Sequence, residues 1–222
     1  MPRRHLAPLA ALLLVALFPL SGATFYVELT TKIMIMAIFA LSLDLLVGWT
    51  GLVSFGHAAF FGVGAYALAL LSPKAAAAGL WSSLALAIGA AALCAFVVGV
   101  FVLRTRGIYF IMVTLAFAQM FYFVFHDTDF GGGSDGRYVN LKPDASILGF
   151  TPFDLDKPDQ IYFVVLAVLV LVFLFLQMLL RSPFGRALQG IKANEQRMRA
   201  LGYPVTAYKL AAFTLAGALA GL

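Results

Sequence analysis

The sequence has very little charge for its length. Charged residues make up 11% of the 222 residues, less than half the share of an ordinary soluble domain, whereas 63% are hydrophobic. A soluble globular protein of this length must cover its surface with polar side chains, and too few are present here. The composition therefore argues against a water-soluble enzyme. It also excludes a disordered chain, which would be poor in apolar residues, and it predicts an integral membrane protein.

Cysteines and the usual catalytic motifs are scarce as well. The single cysteine, Cys94, lies inside an apolar run and cannot form an intrachain disulfide. No Cys/His cluster indicates a metal site, and no Ser/His/Asp set or carboxylate pair within one span indicates a hydrolase. The glycine-rich run Gly131–Gly136 lacks the Gly-Lys-Ser/Thr ending that reaches phosphate and magnesium. We predict no catalytic residues, no metal and no cofactor bound by this chain, so that any ATP chemistry must come from other subunits.

Long apolar runs make up most of the chain. A helix needs roughly 20 apolar residues to cross about 30 Å of hydrocarbon. The sequence predicts an all-α, polytopic transmembrane bundle of six to seven spans that forms a single domain over residues 1–222. The predicted spans are Leu6–Ala23, Thr30–Val47, Ala58–Leu71, Leu80–Leu103, Gly107–Phe125 and Ile161–Leu180, and Leu210–Leu222 begins a seventh apolar run.

The first and last of these runs need separate interpretation. The basic start and apolar core of Leu6–Ala23 are typical of a signal peptide, but we favour a retained first helix. The last run, Leu210–Leu222, reaches about 20 Å as a helix and is too short to cross. We therefore expect the chain to be truncated at its C-terminus.

Charge is distributed unevenly along the chain. Residues 127–160 hold seven acidic and three basic groups, a net charge of −4, and the remainder of the chain carries +9, which gives the total of +5. The basic residues cluster at Arg3–Arg4, Arg104–Arg106 and Arg181–Lys209, beside apolar runs. Such clusters indicate topology rather than binding to nucleic acid. With a cytoplasmic N-terminus, all three clusters lie inside and 127–160 forms an exterior loop.

The basic segment 182–204 is predicted to contain an amphipathic helix. Ser182 and Pro183 suit its start, and Gly202 and Pro204 suit its end. On a helical wheel an apolar stripe gathers six residues, with Glu195 in its middle: Phe184, Ala187, Leu188, Ile191, Met198 and Leu201. A helix on lipid headgroups would keep acid off this face, whereas a helix in a protein groove could present one acid to a partner cation. A surface helix whose Glu195 reaches water is the alternative.

Glycines and small hydroxyl residues crowd residues 42–66. This density allows close backbone approach or a broken helix near a translocation path. A carboxylate such as Asp44 costs roughly 3 kcal/mol at the bilayer centre. The cost is much smaller near the interface, where the carboxylate can bond a helix end. His57 is interpreted either as a proton relay or as a structural hydrogen-bonding residue. The candidates for the translocation path are Asp44, Gly48, Thr50, Gly51, Ser54, Gly56 and His57.

Four blocks, in the same order, resemble one known family. The blocks are Leu43–Tyr66, Arg104–Gln119 (RTRGIYFIMVTLAFAQ), Gly132–Gly136 (GGSDG) and Gly185–Gly202 (GRALQGIKANEQRMRALG). They are similar to blocks of the permease subunits of branched-chain amino-acid ABC importers of the Liv type, with the closest likeness to the M-type (LivM-like) subunit. The resemblance extends from about Thr30 to Leu222.

The resemblance implies a permease subunit that moves leucine, isoleucine and valine across the bacterial inner membrane. The implied partners are a second, H-type permease subunit, two cytoplasmic ATPases that bind the ATP and magnesium, and an exterior, periplasmic substrate-binding protein. Family members usually continue for several spans beyond Leu222. The residues that match the family's ATPase-coupling motif are Gly185, Arg186, Ala187, Ile191, Glu195, Ala200, Leu201 and Gly202, while Gln196 and Met198 depart from it.

Two alternatives stay open at this point. A permease of the same family could carry urea or short-chain amides, because the spans alone do not separate these substrates. A proton-coupled secondary carrier could use Asp44 and His57 instead of ATP.

Overall fold

The regular elements in the part of the chain that the structure describes are helices. The computed structural model describes residues 18–21, 24–71, 79–128, 131–133, 136 and 158–222. Within these ranges a 3-10 turn at Phe18–Ser21 precedes eight α-helices: α1 Thr24–Asp44, continued by a π-helix at Leu45–Thr50, α2 His57–Leu71, α3 Leu80–Val102, α4 Ile108–Asp127, α5 Pro158–Arg181, α6 Pro183–Ala193, α7 Glu195–Ala200 and α8 Val205–Ala220. The all-α class predicted from the sequence is confirmed.

Four of the described helices are long and apolar enough to cross a membrane. They are the continuous helix Thr24–Thr50, which joins α1 to the π-helix, together with α3, α4 and α5. α2 and α8 are also apolar but shorter. These helices agree with a polytopic membrane bundle. The predicted span Leu6–Ala23 lies outside the described residues except for 18–21, and so does most of the predicted loop 127–160.

One helix start and one continuous helix expected from the sequence differ from the structure. The last apolar helix does not start at Leu210, because α8 begins at Val205. Lys209 enters this helix because its ammonium group is paired with Glu195, 2.8 Å away. The single helix expected across 182–204 is broken at Asn194, whose extended backbone (φ −157°, ψ 101°) separates α6 from α7. The Asn194 side chain accepts a hydrogen bond from the Arg197 N–H at 2.9 Å and thereby caps α7.

The core of the bundle is built on a close contact between α3 and α8. Ala87, Ala91 and Ala95 recur every four residues on α3, and all three are buried. A Cβ atom placed on Gly217 of α8 would lie 2.3 Å from the Cβ of Ala95. Residues this small let two helix backbones approach closely, which is how helices gain packing energy in lipid.

Two basic clusters lie at one end of the bundle, which we call the basic end. The lysine Lys192 contacts Gly48 near the end of the π-helix, and Arg106, between α3 and α4, contacts Glu195. Asp127 ends α4 at the opposite end, about 30 Å away for a helix of this length. The structure therefore groups Arg104–Arg106 with Arg181–Lys209, as the charge pattern predicted.

Candidate functional site

The membrane helix that starts with α1 is broken near the basic end. It changes to a π-helix at Leu45 and ends at Thr50, where Gly51 adopts a left-handed conformation (φ 74°). The Leu52 N–H donates to the Leu46 carbonyl at 3.1 Å, and the chain is irregular from there until α2 begins. The glycines of residues 42–66 allowed either a close backbone approach or a broken helix, and the structure shows a π-helical end followed by the irregular segment 51–56. Irregular backbone at membrane depth is tolerated where it is buried in protein or lines a cavity.

The irregular segment 51–56 packs directly against α4. A Cβ atom on Gly56 would lie 2.2 Å from the Thr114 carbonyl oxygen, so glycine is required for this approach. The Phe55 N–H donates to the Thr114 hydroxyl at 3.2 Å, and that hydroxyl donates to the Ile111 carbonyl at 2.8 Å. Ser54 is buried beside this contact. The close backbone approach predicted from the glycines is thus confirmed at Gly56.

His57 is buried at the start of α2 and bonds to α1. Its Nε2 atom lies 2.8 Å from the Ser42 hydroxyl oxygen, and that hydroxyl donates to the Phe39 carbonyl at 2.6 Å. Which of the two side chains donates depends on the tautomer of His57. His57 therefore joins α2 to α1, which supports its interpretation as a structural residue.

Asp44 is exposed on the surface of the bundle, one turn before Gly48. A Cβ atom on Gly48 would lie 2.3 Å from Oδ1 of Asp44, so glycine leaves room for the carboxylate. Among the side chains that the structure describes, no hydrogen bond joins Asp44 to His57. The two residues on which a proton relay would depend are thus an exposed acid and a buried, already bonded histidine.

The amphipathic pattern predicted for 182–204 is met by α6 but stops at its end. Gly185, Ala187 and Ile191 are buried, together with Leu188, whereas Arg186 is exposed. In the second half Ala200 and Gly202 are exposed, and Leu201 is 65% exposed. The coupling-motif residues on α6 are therefore buried except for Arg186, whereas those at the end of α7 are exposed.

Glu195 is bound by three cations of its own chain. Nζ of Lys209 lies 2.8 Å from Oε2, Nη2 of Arg199 lies 2.6 Å from Oε1, and Nη2 of Arg106 lies 3.5 Å from Oε1. We call these four residues the Glu195 cluster. The hydrogen bond from Lys209 holds the pKa of the Glu195 carboxyl below its ordinary value, and the three positive charges act in the same direction against partial burial. Cations of this chain therefore contact both carboxylate oxygens, and a contact of Glu195 with a partner's cation stays a prediction.

Lys192 makes a second link between α6 and the membrane helices. Its Nζ donates to the Gly48 carbonyl at 2.6 Å, near the end of the π-helix. A cation at this place satisfies a free carbonyl and offsets the negative end of the helix dipole. No sequence motif singles out Lys192. A lysine in the last turn of an amphipathic helix is a weak signal, since the pattern does not say which carbonyl it reaches.

A recess of about 510 Å³ opens between these two links. It is lined by the segment after the π-helix, the turn between α3 and α4, the junction of α6 and α7, and Lys209. Thr50 and Gly51, which were predicted for the translocation path, line it together with Ile191 and Glu195 from the coupling motif. The two predicted sets of residues therefore meet in one recess. The path candidates Asp44, Gly48, Ser54, Gly56 and His57 do not line it.

The described part of the chain gathers no group of three or more His, Cys, Asp or Glu side chains that could hold a metal ion. What it presents is a bundle of apolar helices, a broken membrane helix and a basic segment folded against its end. This combination defines the class of polytopic membrane proteins in which irregular backbone lines a cavity.

Comparison with known proteins places the chain within this class. Residues 25–222 match the family described as "Branched-chain amino acid transport system / permease component". The high-affinity branched-chain amino acid transport system permease protein LivM of Salmonella typhimurium is 34% identical, over 96% of this chain and 55% of that protein. Its Escherichia coli counterpart is 32% identical, over 99% of this chain and 56% of that protein. The chain therefore belongs to the branched-chain amino-acid transport permease family.

The chain spans about half the length of these curated relatives. No solved structure matches it. Membership of a permease family agrees with a transport subunit rather than an enzyme.

Proposed function

We propose that the chain is a permease subunit of an ATP-driven importer that carries branched-chain amino acids across the bacterial inner membrane. The names of both relatives, which state branched-chain amino acid transport, support this substrate class. ATP is hydrolysed by two separate cytoplasmic subunits. A second, H-type permease subunit completes the path, and an exterior binding protein delivers leucine, isoleucine or valine.

The observation that carries this proposal is the attachment of α6 and α7 to two membrane helices. The Glu195 cluster ties the segment to α8 through Lys209, and Lys192 ties it to the broken end of α1. When the ATPases close on ATP, the groove that holds α6 moves. Because the chain is broken at Asn194, this motion passes to α8 and α1 through the two links rather than along one rigid helix.

The orientation follows from the charge pattern. The basic end faces the cytoplasm, where the positive-inside rule puts arginines and lysines that flank membrane spans, and the N-terminus is cytoplasmic as well. The loop 127–160 then faces outward and receives the loaded binding protein. Its net charge of −4 steers a basic patch on that protein.

The exposure of Asp44 supports a path formed between two permease subunits. A carboxylate in contact with lipid is costly, so a membrane helix keeps it against protein or a water-filled cavity. Asp44 lies on the outer surface of this chain, next to the π-helix. We assign this face to the second permease subunit, with Asp44 and Gly48 on the shared path.

Purification of the native complex in mild detergent, followed by mass spectrometry of every subunit, tests the proposal. We expect two ATPase subunits and a second permease subunit to accompany this chain. Recovery of the chain without any ATPase across a series of detergents would contradict the proposal and would favour a secondary carrier.

A further inference from the structure

We propose that the recess at the basic end is a binding site for the carboxylate end of an apolar amino acid, the last site before release. This inference rests on the proposed function and deepens it, because it names the part of the path that touches substrate. The recess lies beside Thr50 and Gly51, where the broken membrane helix ends, and it opens at the end of the bundle where the basic clusters lie.

The charges around the recess favour an anionic group. Three cations, Arg106, Lys192 and Lys209, line it against a single carboxylate, Glu195. All three have a partner in the chain: Lys209 donates to Glu195, Lys192 donates to the Gly48 carbonyl, and Arg106 forms a longer ion pair with Glu195. The lining therefore has positive charge in excess of what its own carboxylate neutralises.

Arg106 is the cation placed to meet a ligand. Its side chain is 66% exposed, against 16% for Lys209, and its Nη2 stays 3.5 Å from the Glu195 carboxylate. The guanidinium group can therefore offer donors to a second carboxylate. Arginine binds carboxylates with two parallel hydrogen bonds, which fixes the orientation of the ligand as well as its charge.

The rest of the lining suits a branched apolar side chain. Leu52 and Val53 come from the segment after the π-helix, Ile111 comes from α4, and Ile191 comes from α6. The volume of about 510 Å³ falls within the range of roughly 300–1,000 Å³ that small-molecule sites occupy. Seven of the sixteen lining residues have polar or charged side chains, so the recess offers both an apolar surface and groups that can bind a charged end.

One wall of this recess is the coupling segment itself. Ile191 and Glu195, at the junction of α6 and α7, line the recess together with Thr50 and Gly51. Movement of α6 driven by the ATPases therefore changes the shape of the recess and empties it.

Equilibrium binding of radiolabelled leucine to the complete importer tests this inference. The importer is placed in lipid nanodiscs without its binding protein, so that the leucine site of that protein does not contribute to the signal. Leucinamide, which lacks the carboxylate, is the competitor. We expect the wild type to prefer leucine to leucinamide. Arg106→Gln should weaken leucine binding about tenfold or more and abolish the preference, because it removes a charge-assisted pair.

Two further variants separate a binding role from a structural one. Arg104→Gln removes an exposed arginine that does not line the recess and should leave binding unchanged. Val53→Trp keeps every charge but fills the space, and it should weaken binding of leucine more than binding of glycine. Arg106→Lys should retain part of the preference for leucine.

The failures of the inference and of the proposed function can be told apart. Leucine binding that Arg106→Gln leaves intact, or the absence of binding in a wild-type importer that still takes up leucine with ATP, would overturn the recess as a substrate site. An intact importer that fails to take up any branched-chain amino acid would instead overturn the proposed function, and the recess site with it.

Discussion

Glu195 is one of two glutamates in the sequence, and three cations share its two carboxylate oxygens. Lys209, with 16% of its side chain exposed, depends on this carboxylate more than Arg106 or Arg199 does. A charged group that loses its partner in a partly buried site pays a desolvation penalty that the pair had offset. Glu195 therefore has a structural role within the chain, because its ion pairs connect α7 to α8 and to the turn before α4.

We predict that Glu195→Gln lowers the free energy of unfolding by about 1–3 kcal/mol and uncouples ATP hydrolysis from uptake. The amide keeps the size of the side chain but leaves three neighbouring cations without their anion. Thermal unfolding in detergent measures the first effect, and ATP consumed per leucine imported measures the second. Glu28→Gln, at an exposed position near the start of α1, is the matched control and should change neither quantity.

The difference in stability between wild type and Glu195→Gln should depend on pH. The pKa of Glu195 is lowered from 4.5 in the folded protein, chiefly by the hydrogen bond from Lys209. A depressed carboxyl pKa gives stability that is fully present above 4.5 and is lost as the pH falls through the folded value. The difference in melting temperature between wild type and Glu195→Gln should thus be full at neutral pH and shrink only at acidic pH. A difference that disappears near pH 7 would contradict this assignment.

Some of these residue contacts could be predicted from the sequence and others could not. The sequence indicated Glu195 as a candidate because an acid in an apolar stripe is unusual. A helical wheel of 182–204 says nothing about Arg106 or Lys209, which belong to other elements. A structural hydrogen-bonding role was one of the two interpretations of His57. Its partner Ser42 could not be predicted, because the contact depends on how α2 packs back against α1. Pairings between elements depend on tertiary packing, which periodicity does not encode.

Among the elements, α6 and α7 depart most from the sequence prediction. The start at Ser182 and the glycine turn at Gly202 (φ 85°) were predicted from local signals. Ser182 occupies the N-cap position, but its hydroxyl donates to the Leu179 carbonyl instead of capping α6. The break at Asn194 was missed, since asparagine inside a polar stretch is a weak stop signal until its side chain is seen to accept from Arg197 N–H. The break lets α6 and α7 take different directions, with α6 buried and α7 exposed.

The pair α3 and α8 provides a prediction at the scale of elements. We predict that Gly217→Ala destabilises the bundle by about 1–3 kcal/mol, because the new methyl would lie 2.3 Å from the Cβ of Ala95 and the helices must separate. Gly89→Ala, on α3 with open space around it, is the control and should be neutral or stabilising. Melting temperatures from size-exclusion chromatography of heated samples decide the point. Equal effects of the two substitutions would contradict the proposed packing.

At the scale of the whole molecule, composition and charge pattern predicted most of the architecture. The runs of apolar residues predicted the membrane helices, since hydrophobic length is a direct physical requirement of the bilayer. The grouping of Arg104–Arg106 with Arg181–Lys209 at one end was also predicted, because both clusters follow spans of matching direction. The recess was not predicted, because it forms where four separate parts of the chain meet.

The central claim is that ATP, spent on partner subunits, drives branched-chain amino acids through this permease. Release of radiolabelled leucine from proteoliposomes that contain the complete importer tests it most directly. The binding protein and the leucine are enclosed in the lumen, and the ATPase sites face the medium that supplies ATP, so import is read as movement of leucine from the lumen to the medium. The account predicts movement that requires hydrolysable ATP and persists when an ionophore collapses the proton gradient. Movement that continues without ATP, or that stops with the ionophore while ATP is maintained, would contradict it.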